Sequence, residues 1–194
     1  MTRLLMLRHG ESLANVEGLV VSLPRNGISR FGLSPEGHRQ AKALADEVAL
    51  YASGPKIEAI YASDFLRTRQ TAEHVASRLG LEVSFDSMLR ERQFGDFEMA
   101  SKEAYSKVWE EDAKDPKHRR WGVESVTEVA ERMLGQVEIF SKRHPQGDVL
   151  IVSHGDSLQI LLTVLEGRPA NEHRRRPDIK TCELIQFDLN PSDK

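Results

Sequence analysis

Four nitrogen-bearing side chains draw attention by where they fall in the chain. Leu4-Leu5-Met6-Leu7 runs into Arg8-His9-Gly10, Ala59-Ile60-Tyr61-Ala62 runs into Ser63-Asp64-Phe65-Leu66-Arg67, and Val149-Leu150-Ile151-Val152 runs into Ser153-His154-Gly155. A guanidinium beside an imidazole is unfavourable at the edge of a core unless something negative joins them. Each piece alone has an ordinary explanation. A histidine after a strand is more often a hydrogen-bonded structural residue than a catalyst, and Arg67, close to Arg69 and Gln70, reads as solvated helix surface. Three apolar runs ending alike point elsewhere. Arg8, Arg67 and two imidazoles, His9 and His154, suit a tetrahedral anion, with phosphate the obvious candidate.

For these groups to meet, the apolar runs must be neighbouring strands. Residues 4–7, 57–62 and 149–152 are continuously apolar enough to read as strands buried on both faces, and 184–189 reads as a fourth. Helical patterns lie between them. One opens at Ser34-Pro35-Glu36, with an N-cap and a proline at the first helical position, and runs to about Tyr51. A second spans about 64–79 and stops at Gly80. A third opens on the capping box Ser125-Val126-Thr127-Glu128 and sets Val126, Val129, Met133, Val137 and Phe140 on one face. A fourth follows His154 through Leu158, Leu161, Leu162 and Leu165 to near Gly167.

Strand then helix, repeated, predicts an α/β fold: three layers, with a mostly parallel central sheet flanked by helices on both faces. In such a sheet the carboxyl ends of the strands share one edge, where ligands bind. Helix N-termini there add partial positive charge. The charge-dense stretch 98–121 reads as a helical insertion over that edge, and 18–32, with Arg25 and Arg30, reads as an irregular mobile loop. With no linker or repeat, 1–194 is expected to form one domain.

Composition narrows the partners. The 194 residues are 39% hydrophobic and 29% charged, with a net charge of −3 and an isoelectric point near 6.2. No global positive field exists to hold nucleic acid or an anionic membrane, so anion recognition must be local. Cys182 is the one cysteine and reads as a small apolar filler at the late strand. It allows no internal disulfide, and no apolar run has signal or membrane length, so a cytoplasmic protein is expected. No His/Asp/Cys spacing suggests a metal.

The motifs together resemble the histidine phosphatase superfamily, also called phosphoglycerate mutase-like. They are RHGES at 8–12, LSPEGHRQA at 33–41, SDFLRTRQTA at 63–72, LRERQFGDFE at 89–98, GVES at 122–125 and VSHGDSLQILL at 152–162. The resemblance implies that His9 attacks phosphorus and is transiently phosphorylated, turning one hard displacement into two easier ones. It implies that Arg8, Arg67 and His154 bind the non-bridging oxygens, with Asn15 and Gly155 also at the phosphate. It implies that Glu91, the glutamate of LRE, protonates the leaving oxygen and then takes a proton from the attacking water. No cofactor or metal is implied, and the partner is a small phosphorylated metabolite.

Two family activities share such a pocket. A phosphatase admits water to the phosphohistidine, whereas a mutase holds an organic acceptor there. The short chain and GDFE resemble the phosphatase branch. Glu91-Arg92-x-x-Gly95 resembles the ERxYG of the cofactor-dependent phosphoglycerate mutases, whose arginine helps hold a substrate carboxylate. Met99 stands where the family has glycine after DFE. A phosphatase is the favoured reading, a mutase the alternative, and an idle phosphate-binding module a third, disfavoured because nucleophile and acid are both retained. Arg119-Arg120 and His173-Arg174-Arg175-Arg176 are as easily solvated charge as ligand contacts.

Overall fold

The computed structural model describes residues 3–51 and 57–189. In chain order the elements are β1 (Arg3–Arg8), α1 (Leu13–Glu17), α2 (Pro24–Gly27), α3 (Pro35–Tyr51), β2 (Ile57–Ala62) and α4 (Leu66–Leu79). They continue with β3 (Val83–Phe85), α5 (Ala104–Asp112), α6 (Val126–Arg143), β4 (Asp148–Ser153), α7 (Gly155–Leu165) and β5 (Leu184–Asp188). The sheet order is β3-β2-β4-β1-β5. All neighbours run parallel except β5, which lies antiparallel to β1 at one edge.

The two-residue period of a strand explains why both sheet faces are covered. Leu4 and Met6 of β1 point into a cluster with Val126, Met133, Phe140 and Leu161, which are carried by α6 and α7. Leu5 and Leu7 point into the opposite cluster, with Leu44, Val48, Val75 and Ala76 of α3 and α4. Burying each of these larger side chains contributes about 1.5–3 kcal/mol. A third, smaller cluster of Val20, Phe94, Val108 and Val123 seats α5 beside the carboxyl edge of the sheet, so the predicted insertion takes its predicted place.

Helix starts follow the chemistry read from the sequence. Ser34 Oγ accepts the amide of Gly37 at 3.0 Å. At α6, Ser125 Oγ accepts the amide of Glu128 at 3.3 Å, while Glu128 Oε2 accepts the amide of Ser125 at 3.0 Å. The second helix begins at Leu66 rather than at 64, because the N-cap Phe65 keeps an extended backbone; Asp64 before it pairs with Arg90. Among the described residues no helix is long and apolar enough to cross a membrane.

One local expectation is corrected, one is adjusted in place (Cys182 packs against an apolar cluster as a filler, but just ahead of the strand) and one element is added. The stretch 18–32 is not a free loop: the Glu98 carboxylate accepts the Ser22 and Leu23 amides at 2.8 and 3.1 Å and the Asn26 Nδ2 at 2.8 Å, tying it to the insertion. Cys182 sits in the turn before β5 at φ 55°, its amide donating to the Arg8 carbonyl at 3.1 Å. Its partly buried thiol is pushed up to about 12 by desolvation. The edge strand β3 is an addition, since Val83-Ser84-Phe85 is too short to show a pattern.

Candidate active site

Register delivers the site. β1 pairs with β4 so that Arg8 lies opposite Ser153, and β2 pairs with β4 so that Ala62 lies opposite Val152. The backbone continues this alignment past the strand ends: the His9 amide donates to the Ser153 carbonyl at 3.1 Å, and the Ser63 amide to the Val152 carbonyl at 3.0 Å. His9, Ser63 and His154 therefore leave three adjacent strands at one level. The His9 and His154 rings meet edge to face, with centroids 5.2 Å apart.

His9 is 2% exposed. Its Nδ1 lies 2.7 Å from the Gly10 carbonyl, so that nitrogen carries the hydrogen. Nε2 is then the ring's lone-pair nitrogen, and it accepts from Arg67 Nε at 3.1 Å. Burial first, and then the Arg67 and Arg8 charges, hold this imidazole far below the ordinary histidine range. It stays neutral and nucleophilic at neutral pH. The His154 imidazole is lowered in the same way, by burial and then Arg67, and its Nε2 lies 2.9 Å from Ser63 Oγ.

Arg67, on the first turn of α4, is 4% exposed. Its Nη2 donates to the Val21 carbonyl at 3.0 Å. Its neighbour one turn on, Thr71, accepts the Gly10 amide at 3.1 Å and so ties α4 to the loop after β1. Gly10 has no room for a side chain: a Cβ there would stand 2.7 Å from the Gly37 carbonyl oxygen. Arg8 Nη1 donates to the Ile179 carbonyl. Arg8 Nε and Arg67 Nη1 are buried donors with no protein partner. Two orphaned guanidinium N–H groups beside an imidazole are what an oxyanion would satisfy. The N-terminus of α7 faces the same space, its N-cap His154 giving no side-chain cap.

Arg8, His9 and Arg67 open onto a cavity of about 510 Å³, lined also by Asn15, Glu91 and Gly155; His154, 0% exposed, is not part of that lining and packs against the His9 ring. Asn15 accepts the Ser12 amide through Oδ1 at 3.0 Å as part of a capping box, its side chain otherwise at the cavity wall. Glu91, 8% exposed, uses one oxygen for all its contacts: Oε1 accepts the Arg92 amide at 3.0 Å, the Ser157 amide at 3.3 Å and Ser157 Oγ at 3.2 Å. Burial, reinforced by the Asp156 charge, raises its carboxyl above the usual glutamate range. The donors on Oε1 leave Oε2 as the oxygen that can carry a proton. Among the described residues no three His, Cys, Asp or Glu side chains gather as a metal-holding group.

Arg92 departs from expectation. The structure does not bring it to the cavity wall; its guanidinium is 0% exposed and forks onto Asp112, with Nη1 and Nη2 at 2.6 and 2.7 Å from the two oxygens. Its Nε donates to the Glu124 carbonyl at 2.6 Å. A residue so engaged has no free donor to offer a substrate. Arg30 lies instead against Asn26 and the Phe31 ring, Arg119 pairs with Glu128, and Arg120 pairs with Glu111. Of the run at 173–176, Arg174 alone lines the cavity, its guanidinium 3.6 Å over the Trp109 ring.

The insertion supplies wall residues that the motifs did not flag. Tyr105 and Trp109 sit four apart on α5, on one helix face, with rings stacked at 5.4 Å. Asp156, two residues after His154, also lines the cavity. The spacing of Tyr105 and Trp109 was the available signal; for Asp156 there was none beyond proximity to His154.

A family model for the histidine phosphatase superfamily, branch 1, matches residues 4–194. A Cronobacter sakazakii protein described as "Probable phosphoglycerate mutase GpmB" is 32% identical over 197 residues, covering 99% of this chain and 87% of that one. Among solved structures, the mycobacterial glucosyl-3-phosphoglycerate phosphatase Rv2419c complexed with VO3 superposes with a TM-score of 0.81 at 27% identity, over 97% of this chain and 93% of that one. The α-ribazole phosphatase from Shigella flexneri gives 0.77 at 26% identity, over 98% and 92%. Motif order, sheet topology and the match along the chain agree, and the protein belongs to the histidine phosphatase superfamily, branch 1.

Proposed function

We propose that this protein is a phosphomonoester hydrolase that works, without a metal, through a phosphohistidine on His9. The observation that carries the reading is the placing of two buried groups on one cavity: His9, with its Nδ1 on the Gly10 carbonyl and Nε2 left as the lone-pair nitrogen, and Glu91, whose carboxyl burial raises above the usual glutamate range. In-line displacement needs that combination, a free nitrogen for phosphorus and a proton for the departing oxygen.

The substrate phosphate takes over the free N–H groups of Arg8 and Arg67 and draws Arg67 Nε away from His9 Nε2. The lone pair on Nε2 then attacks phosphorus as the P–O bond to the leaving group breaks, and Glu91 gives its proton to that oxygen. The hydrogen bond from His9 Nδ1 to the Gly10 carbonyl steadies the positive charge arising on the ring. Glu91, now ionised, takes a proton from water; the oxygen attacks phosphorus, the P–N bond breaks and inorganic phosphate leaves. Arginines and the α7 N-terminus are already aimed where charge spreads, so little reorganisation accompanies either step.

Mutase chemistry on phosphoglycerates is the second reading, favoured by the name of the Cronobacter relative. The arginine that the mutase-like motif would offer a carboxylate is engaged by Asp112, which supports hydrolysis instead. A cavity of about 510 Å³ suits a small phosphorylated metabolite. A single domain acting in the cytoplasm completes the proposal.

A panel of phosphomonoesters assayed with wild type and His9→Ala tests it. Wild type is expected to release inorganic phosphate and, quenched into alkali, to retain an acid-labile phosphoryl group that the variant lacks. Interconversion of phosphoglycerates with no phosphate release from any monoester would overturn hydrolysis in favour of the mutase.

A further inference from the structure

The mechanism leaves one buried carboxylate of the cavity wall without a part. Asp156, the second residue of α7, is 6% exposed and stands next in the chain to Ser157, whose amide and hydroxyl bind Glu91. Two carboxyl groups thus share one water-poor wall, and their donors are divided unequally. Asp156 Oδ1 accepts from Trp109 Nε1 at 3.0 Å and has His173 Nε2 at 3.5 Å and Arg174 Nη1 at 3.7 Å; Arg92 Nη1 reaches Oδ2 at 3.4 Å. Glu91 receives only uncharged donors, all on Oε1.

The nearby cations do not cancel Asp156. Both terminal nitrogens of Arg92 are held closer by Asp112, and Arg174 also pairs with Asp178. The Trp109 N–H and the guanidiniums of Arg92 and Arg174 favour its ionised form, and a second ionised carboxylate beside it is then unfavourable. This matters because the phosphate cradle works against the acid. Arg67 from α4 and Arg8 from the end of β1 both draw the proton off Glu91, while Tyr105 of α5, itself held as the neutral phenol by burial, and the neutral imidazoles of His9 and His154 add no charge.

We propose that Asp156 is a positioning residue whose fixed negative charge assigns the proton of this carboxyl pair to Glu91, the group that must donate it. The assignment rests on the hydrolase reading, in which Glu91 is the acid. Asp156 thereby offsets the two arginines that bind phosphate, and one cavity holds both a strong anion site and a protonated carboxyl. Burial supplies the larger part of the effect on Glu91 and Asp156 the next, in the direction the geometry requires. Asp156 itself is driven far below the ordinary aspartate range by His173, Arg92 and Arg174 despite its burial.

The test is Asp156→Asn, which keeps the oxygen that accepts from Trp109 and removes the charge. On an alkyl phosphate, the alkaline limb of the kcat profile is expected to move to lower pH. The loss is about tenfold where wild type still holds its plateau, with the two profiles converging at lower pH. On 4-nitrophenyl phosphate, whose leaving group needs little protonation, the loss is expected to be far smaller. Carbon-13 NMR of labelled Asp and Glu carboxyls in the wild-type protein reads the pair directly and needs no variant to fold; at neutral pH it is expected to find Glu91 protonated and Asp156 ionised. An unmoved limb, a loss equal at every pH, or a proton on Asp156 would overturn the assignment. Absence of phosphohistidine in wild type would overturn the hydrolase reading instead, and the carboxyl titration would still decide the pair.

Discussion

Replacing Asp112 by alanine separates a structural arginine from a substrate-binding one. Arg92 and Asp112 are both 0% exposed, and their fork is short, at 2.6 and 2.7 Å. Without the carboxylate, the guanidinium keeps only the Glu124 carbonyl and the 3.4 Å contact to Asp156. Breaking a buried pair by removing one partner costs about 3–5 kcal/mol. The longer contact to Asp156 remains, so a loss of about 3 kcal/mol is expected. That is a large part of the roughly 5–15 kcal/mol by which proteins of this kind are stable. Removing both charges, Arg92→Met with Asp112→Leu, is expected to restore part of the loss, because the pair leaves together while Asp156 and His118 each lose one contact. Urea unfolding followed by circular dichroism measures both variants and Arg92→Met alone. An arginine that served a substrate carboxylate would behave differently, with a raised KM and an unchanged unfolding midpoint for Arg92→Met. A loss under about 1 kcal/mol for Asp112→Ala, the level of a surface pair, would refute the reasoning.

Inorganic phosphate is expected to stabilise the protein by about 2.7 kcal/mol at a hundred times its dissociation constant, and Arg67→Ala to remove the effect; urea midpoints with and without phosphate decide it. Gly155→Ala is expected to lower kcat/KM by about a hundredfold with little change in stability, since misplacing a catalytic group has that scale of effect. Its Cβ would stand 3.2 Å from Arg8 Cζ and push the guanidinium off the phosphate; unchanged kinetics would count against Arg8 as a phosphate ligand. Acid is expected to destabilise the fold through His9 and His154. Both are lowered from 6.5, chiefly by burial, so below that pH the unfolded chain binds protons the folded one refuses, and the stability present above it is lost as pH falls. His9→Gln is expected to flatten that dependence between pH 7 and 5, by up to about 1.4 kcal/mol per pH unit; equal slopes in the two proteins would contradict it.

Much of this was readable in the sequence because the sheet makes few demands that composition cannot meet. β1 and β4 are apolar throughout their middles since both faces are covered, and each ends abruptly where the sheet meets solvent and ligand. That ending is what exposed Arg8, His9 and His154. The capping box at Ser125 and the Ser34-Pro35 start are local devices, complete within four residues, so they too are visible. β3 is a three-residue edge strand that takes its conformation from β2, and nothing in Val83-Ser84-Phe85 announces it. Met99, standing where the family motif has glycine, takes a left-handed backbone at φ 64°, which a glycine would adopt freely.

What the sequence hid is pairing between charges. Arg92 stands next to Glu91 in a pattern that suggests substrate, and its partner Asp112 arrives twenty residues later on α5, at a point no periodicity marks. Asp156 is hidden in the same manner: its effect depends on Trp109 and on the neighbours His173 and Arg174, from two distant stretches of chain. A strong oxyanion site made of buried guanidiniums draws the proton off a carboxyl placed beside it, and burial and a neighbouring negative charge oppose that pull. Burial opposes Arg8 and Arg67 first at Glu91, and the negative charge of Asp156, itself stabilised by Trp109 and Arg174, adds to it. The constraint is chemical rather than motif-bound: an acid that must be protonated in a cationic pocket is helped by burial and by a neighbour that is not.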